Sequence, residues 1–412
     1  MINKLALNVS LGLLALLMGG SQALFAQTAS PSLDAFFNAE KLTQHDAVLV
    51  VDGNGDTVYQ WRASSSMIPA SLSKLATAHL AIEKWGLDHA FHTDFYRVGN
   101  QLWVKGYGDP YLVSEELDVL VNKLASLDIS WVTSLHIDGS YFASESVPGR
   151  SRVNDPYNAP LSAVAANFNT VTLSKLGGVI QSAEPQTPLT PLALELGAKV
   201  KGLAKKAQRI NLVNRENSQN NVAQLLLAKL GLGSLPISID QVLPQGATLF
   251  YRHQNSRSVD DIVRGMLEYS NNFMANQLFL SLADSEECNS VSFASASNYA
   301  QQALADEFGW QGHALLEGSG LSRSNQLSAQ QINQLLIPLT PNKRLLKKVK
   351  NKHADIHAKT GTLDGVRTFA GYIELSNKSY RFVFLFNRKV PWRYREQLLS
   401  RLVDELRSEV VQ

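Results

Sequence analysis

Apolar and polar positions follow several different rhythms along this chain, and the changes of rhythm divide it. Leu5 to Met18 is a continuous apolar run behind a short basic start at Lys4, and it ends in the small residues of Ala23-Leu24-Phe25-Ala26. That is the pattern of a secretory signal peptide, and the run is too short for a comfortable membrane span. The expectation is a leader over residues 1–26 and export of the remainder to the periplasm. Leu33 to Lys41 is spaced for a short helix. Ala47 to Asp52 reads as a buried strand, Gly53-Asn54-Gly55-Asp56 as a tight turn, and Thr57 to Trp61 as the returning strand. Leu75 to Ile82 then opens an apolar helix.

From about Trp85 to Arg257 the texture becomes finer. Strand-like pieces at His92–Val98, Gln101–Lys105 and Ser134–Asp138 are separated by turn clusters at Gly106–Pro110 and Asp155–Tyr157. Between them Leu117, Leu120, Val121 and Leu124 fall at helical spacing. Gly177 to Asn220 has the least clear pattern, and helical spacing resumes at Asn221–Leu230. Ser258 to Leu282 is amphipathic and helical, broken at Ser270-Asn271-Asn272. Gly365–Leu375 and Tyr380–Phe386 read as strands. In the second, Phe382, Phe384 and Phe386 alternate with Val383 and Leu385, so it is apolar on both faces and central to its sheet. Trp392 to Val410 closes the chain as a helix whose leucines cover that sheet.

Composition narrows the function classes. The 412 residues are 45% hydrophobic and 18% charged, with a formal net charge of +2, so nothing global points to nucleic acid. The single cysteine, Cys288, excludes an intrachain disulfide, lies far from the leader, and has acidic neighbours that make it incidental. No cluster of Cys and His suggests a metal, and no cofactor is called for. Two basic stretches, Lys199 to Arg209 and Lys343 to Lys352, are read first as solvated faces, with steering of an anionic wall polymer as the alternative.

The candidate chemistry sits at the breaks in the pattern. Ser71-Leu72-Ser73-Lys74 places a hydroxyl and an amine three residues apart at a helix start, hence on one face. Ser270-Asn271-Asn272 occupies the helical break, and Lys359-Thr360-Gly361-Thr362 precedes the turn at Asp364-Gly365. Separately these are a helix cap, another cap and an ordinary turn. In this order and setting they are the S-x-x-K, S-x-N and K-T-G set of β-lactamases and penicillin-binding proteins. Acyl transfer needs an activated hydroxyl, a base and donors for the oxyanion. Ser71 is the candidate nucleophile and Lys74 the base, its charge disfavoured by burial and by the neighbouring Lys359. Ser270 would relay a proton to the leaving amine, and Asn272 would bond Lys74 and the substrate. Lys359, Thr360, Gly361 and Thr362 would bind a substrate carboxylate, with the N–H groups of Ser71 and Thr362 as oxyanion hole. His79 and His357 lie near the motifs and are read as structural.

With these residues placed, the chain resembles the D-alanyl-D-alanine carboxypeptidase/endopeptidase family, the class C low-molecular-mass penicillin-binding proteins. Gly108-Asp109-Pro110, Ile137 to Phe142, Tyr157 to Ala163 with Asn169, Gly318 to Arg323, and Ala358 to Ala370 are all similar to segments of that family. Asn271 and Glu317 stand where the family has Asp more often, and the stretch between Asn169 and Asn221 is short for it. The resemblance implies an α+β fold: a penicillin-binding or serine β-lactamase-like domain, an antiparallel sheet flanked by helices. That domain would be discontinuous, over residues 27–86 and 255–412, with a β-rich insertion at 87–254 between S-x-x-K and S-x-N. It also implies a Ser71 acyl-enzyme on peptidoglycan peptide stems and covalent inhibition by β-lactam antibiotics, with neither nucleic acid nor an integral membrane span as partner. A β-lactamase or esterase, or a wall-binding module without turnover, would carry the same three motifs. The wide gap between Lys74 and Ser270 and the lack of a recognisable water activator weigh against the β-lactamase.

Overall fold

The computed structural model describes residues 31–150, 155–233, 235–284 and 290–411. The leader at residues 1–26 and Cys288 lie outside them. In chain order, α1 (Pro31–Ala39) leads to the hairpin of β1 (Asp46–Asp52) and β2 (Thr57–Trp61), and α2 (Ser73–Trp85) follows. Then come β3 (Ala90–Val98), β4 (Gln101–Gly106), α3 (Ser114–Ala125), β5 (Ser134–Asp138), β6 (Thr170–Leu176) and β7 (Val179–Ser182). They are followed by α4 (Pro191–Ala198), β8 (Gln208–Asn211), α5 (Arg215–Leu230), β9 (Ile237–Gln241) and β10 (Thr248–Ser258). The chain continues through α6 (Val259–Glu268), α7 (Asn272–Ser281), α8 (Phe293–Phe308) and α9 (Ala329–Leu339). It ends in β11 (Lys347–Val349), β12 (Asp355–Leu363), β13 (Val366–Glu374), β14 (Ser379–Phe386) and α10 (Tyr394–Val411).

The two ends of the chain build one antiparallel sheet in the order β11-β12-β13-β14-β1-β2. Its inner strands are apolar at consecutive positions because helices cover both faces. Val48, Val50, Phe382, Phe384 and Phe386 pack with Leu33 and Phe37 of α1 and Leu398, Leu402 and Leu406 of α10. The alternate residues Leu49, Val51, Val383 and Leu385 pack with α2, α6, α7 and α9 on the other side. The α+β architecture expected from the pattern is therefore present, and β14 is central as its double alternation requires.

Between α2 and α6 the chain forms two further sheets. The larger, β10-β3-β4-β5-β9, is mixed: β4–β5 and β5–β9 run parallel, and α3 and α5 cover it. The smaller, β7-β6-β8, closes on α4 through Val171, Leu173, Leu192, Leu196 and Ile210. These short elements account for the weak pattern between Gly177 and Asn220. The outgoing and returning strands are tied at the neck, where Val259 N donates to His89 O at 2.8 Å and Asp260 N to Leu87 O at 3.0 Å. Helix α5 starts six residues before the apolar period that revealed it. Its first turns are polar and held by hydrogen bonds instead: Asn214 caps Asn217 N, and the buried Ser218 hydroxyl donates to Asn169 Oδ1 at 2.6 Å. Such bonds leave no hydrophobic trace.

Candidate active site

Ser71 lies in a 3-10 turn (Ala70–Leu72) just ahead of α2, in a backbone that tight neighbours hold. Ala70 takes a positive φ of 48°. Gly320, at φ +82°, abuts it so closely that a Cβ there would stand 1.8 Å from Ala70 O. On the other side a Cβ at Gly361 would stand 2.9 Å from Ser71 N and 2.1 Å from Thr368 Oγ1. Only glycine lets the K-T-G strand and the 318–322 loop close on the turn. Side chains pin them there: Thr77 Oγ1 donates to Gly318 O (2.9 Å), Gly318 N to Asn276 Oδ1 (2.8 Å), and Thr368 Oγ1 to Pro69 O (2.8 Å).

Lys74 is fully buried on the first turn of α2. Its Nζ donates to Asn272 Oδ1 and Ser319 O, both at 2.7 Å, and lies 3.1 Å from Ser71 Oγ. Asn272 sits at the start of α7, and its Nδ2 donates to Tyr157 O at 3.1 Å, which fixes the orientation of the amide. Ser270, at φ 55° in the link between α6 and α7, accepts from Lys359 Nζ at 2.8 Å, and that ammonium also donates to Thr360 O at 2.9 Å. Ser71, Ser270, Asn272, Thr360 and Thr362 line one open cleft of about 530 Å³ together with Tyr157, Leu321, Leu363, Asp364 and Arg367. Lys74 and Lys359 reach it from beneath. All eight candidate residues, Gly361 included, thus converge on one place. His79, against Glu307 Oε2 at 2.7 Å, and His357, beside Asp355, do not line the cleft.

Burial pushes Lys74 down to about 7, with the Glu317 carboxylate opposing the shift. Lys359 is held well below its ordinary value by burial first, then by the charges of Lys74, Arg395 and Lys347. Of the two causes expected for Lys74, burial and the charge of Lys359, burial is the one that lowers it. A neutral Lys74 has two N–H donors and one lone pair. Asn272 Oδ1 and Ser319 O only accept, so they take both donors and leave the lone pair for the Ser71 hydroxyl. Such an arrangement can draw a proton from Ser71.

Several groups escaped the sequence reading. Glu317 is buried, and its oxygens accept from the N–H groups of Ser319, Gly320 and Ser322, the Ser319 hydroxyl and Asn325 Nδ2. It ties the loop carrying the Ser319 carbonyl that Lys74 uses. Arg395, from α10, reaches under the K-T-G strand. Glu317 stood in a recognised segment but only as a departure from it, and nothing local marked Arg395. The basic stretches are partly neutralised by pairs such as Lys199 with Glu195 (2.6 Å), Lys348 with Asp355 (2.7 Å) and Arg344 with Asp260 (2.5 Å).

The sequence model of the D-Ala-D-Ala carboxypeptidase 3 (S13) family matches residues 29–224 and 181–350. The chain belongs to this family. Ser71, Lys74, Ser270 and Asn272 fall inside the matched stretch, while Lys359 lies beyond its end. A D-alanyl-D-alanine carboxypeptidase from an Actinomadura species is 25% identical over 411 residues, covering 79% of this chain and 74% of that protein. Among solved structures, penicillin binding protein 4 (dacB) from Haemophilus influenzae aligns with a TM-score of 0.71 at 20% identity, over 92% of this chain and 99% of that one. The same protein has been solved in complex with a β-lactam. A predatory peptidoglycan endopeptidase from Bdellovibrio bacteriovorus aligns at 0.51 and 14% identity, over 87% and 91% of the two chains. The fold is that of penicillin binding protein 4, and family membership makes the chain a serine-type D-Ala-D-Ala peptidase.

Proposed function

We propose that this S13 enzyme cleaves the D-Ala–D-Xaa bond of peptidoglycan stems in the periplasm, as a carboxypeptidase and endopeptidase, through an ester on Ser71. One observation carries the assignment of residues: a buried Lys74 whose two acceptor neighbours leave only Ser71 for its lone pair. In the first step Ser71 Oγ attacks the D-Ala carbonyl while its proton passes to Lys74 Nζ. The backbone N–H groups of Ser71 and Thr362 receive the oxyanion. Collapse of the tetrahedral adduct expels the terminal amine, which takes through the Ser270 hydroxyl the proton that Lys74 received, so Lys74 is again neutral and Lys359 keeps its charge. Water then attacks the ester carbonyl as Lys74 takes its proton, and Lys74 returns that proton to Ser71 Oγ as the C–O bond breaks and the acid product leaves. Lys359, Thr360 and Thr362 hold the terminal carboxylate, and a β-lactam carrying a carboxylate enters by the same route. Export rests on the pattern of residues 1–26. Among the described residues no helix is long and apolar enough to cross a membrane.

A β-lactamase, whose acyl group keeps its amine tethered in the cleft, would need a base besides Lys74 aimed at the water that attacks the ester. The one carboxylate among the described residues lining the cleft is Asp364, on the turn beyond Thr362, and the oxygens of Glu317 are taken up by its own loop. A long-lived penicilloyl ester therefore fits the site better than rapid release. Incubation with a peptide ending in D-Ala-D-Ala tests the reading. Release of D-Ala by the mature protein and none by Ser71→Ala is expected, and undiminished release by the variant would refute it.

A further inference from the structure

Arg395 belongs to none of the motifs, yet it is 6% exposed and sits in the first turn of α10, where the helix dipole disfavours a cation. Its contacts explain the placement. Nε donates to Glu396 Oε1 at 2.8 Å, and NH1 donates to Gly361 O at 2.5 Å, to Thr362 Oγ1 at 3.1 Å and to Thr368 O at 3.2 Å. Gly361 and Thr368 are partners across the β12–β13 ladder, so one guanidinium clamps both strands where they press on the Ser71 turn. A guanidinium has no acceptor, so Thr362 Oγ1 must accept in this contact. The hydroxyl keeps one hydrogen, which cannot point back at Arg395. Thr362 is exposed and lines the cleft, so that hydrogen is available to an acceptor there.

We propose, on the basis of the peptidase reading above, that Arg395 is a positioning residue that turns the Thr362 hydroxyl into a dedicated donor for the substrate's terminal carboxylate. It does not touch the substrate. It sets the hydrogen of a residue that does, and it anchors the carbonyl beneath. Binding of the free carboxylate therefore depends on Arg395 through the Thr362 hydroxyl, whereas the groups at the reacting bond depend on it only through the strands it clamps.

The test compares Arg395→Met, Arg395→Lys, Thr362→Val and the Arg395→Met/Thr362→Val double variant. Two peptides are used, one ending in a D-Ala-D-Ala free acid and the other in its C-terminal amide. Active sites are first counted by penicillin adduct formation. For the free acid, Arg395→Met and Thr362→Val should each raise KM by about tenfold or more, as loss of a hydrogen bond to a charged group does, and by more than any fall in kcat. The rise in KM for the amide, which offers no charged oxygen to Thr362, should be several-fold smaller than the rise for the free acid, on the order of threefold or less. The double variant should be no worse than the poorer single one, because the two residues act through one hydroxyl. Arg395→Lys should fall between, its ammonium lacking the planar fork. Multiplying effects in the double variant would overturn the proposal, as would variants that lose only stability or active fraction at constant KM. If Arg395→Met does not fold, Arg395→Lys and Thr362→Val decide on the same free-acid selectivity. A wild-type protein that forms no adduct would instead remove the peptidase reading itself, which the initial site count reveals separately.

Discussion

At the scale of single residues, the proposed mechanism turns on a lysine whose location favours the neutral amine. An ordinary lysine, near 10.5, is almost wholly protonated at neutral pH, whereas Lys74 is brought to about 7 by burial. With Lys74 as the proposed base, acylation needs the unprotonated amine, so its rate should rise with pH through about 7. Lys359 holds a carboxylate only while protonated, and burial and the charge of Lys74 depress it too, so carboxylate binding should be lost as it gives up its proton. The pH profile of kcat/KM with a D-Ala-D-Ala peptide checks both limbs. Lys74→Arg, which stays protonated, should lose activity at every pH, and a retained acid limb in that variant would contradict the role given to Lys74. Ser71, Lys74, Ser270, Asn272 and Lys359 were legible because each belongs to a short pattern at a break in periodicity. Glu317 and Arg395 were not, because their importance lies in burial and in partners far along the chain.

At the scale of elements, catalytic geometry depends on how closely the K-T-G strand and the 318–322 loop approach the Ser71 turn. Two glycines permit that approach, so a single methyl group tests it. Gly320→Ala would place a Cβ 1.8 Å from Ala70 O at a positive φ, and Gly361→Ala would place one 2.9 Å from Ser71 N. Both variants should slow acylation by benzylpenicillin by at least about a hundredfold, a displacement of the order of an ångström being enough, as stopped-flow acylation rates would show. Gly320→Ala should also lower the melting temperature, since backbone atoms bar the relief of its clash. Acylation at the wild-type rate in either variant would mean that the strand and loop do not set the geometry. Strands β1, β2, β13 and β14 and helices α1, α2, α6, α7 and α10 were readable because their apolar positions face two cores, whereas α8 and α9, which pack into one of those cores, went unread. The polar opening of α5 and the short strands β7 and β8 were not, since hydrogen bonds and small local clusters hold them.

At the scale of the whole molecule, the two ends of the chain enclose the site. Strand β1 pairs with β14, and α10 covers the sheet from which Lys359 rises, so the C-terminus is part of the active unit. Leu402→Ala, which empties a fully buried position of α10, should cost about 2–5 kcal/mol of stability, measured by urea unfolding. The insertion is involved as well, because the Tyr157 carbonyl orients Asn272, and through it Lys74. That contact was invisible in the sequence, where Tyr157 and Asn272 stand far apart. The most direct measurement is an intact-mass time course of the mature protein with excess benzylpenicillin, followed by removal of free drug with a penicillinase and peptide mapping. A single penicilloyl mass on the peptide containing Ser71, persisting for minutes or longer and missing in Ser71→Ala, is the predicted result. A modification on another residue, or drug consumed with no adduct accumulating, would contradict it.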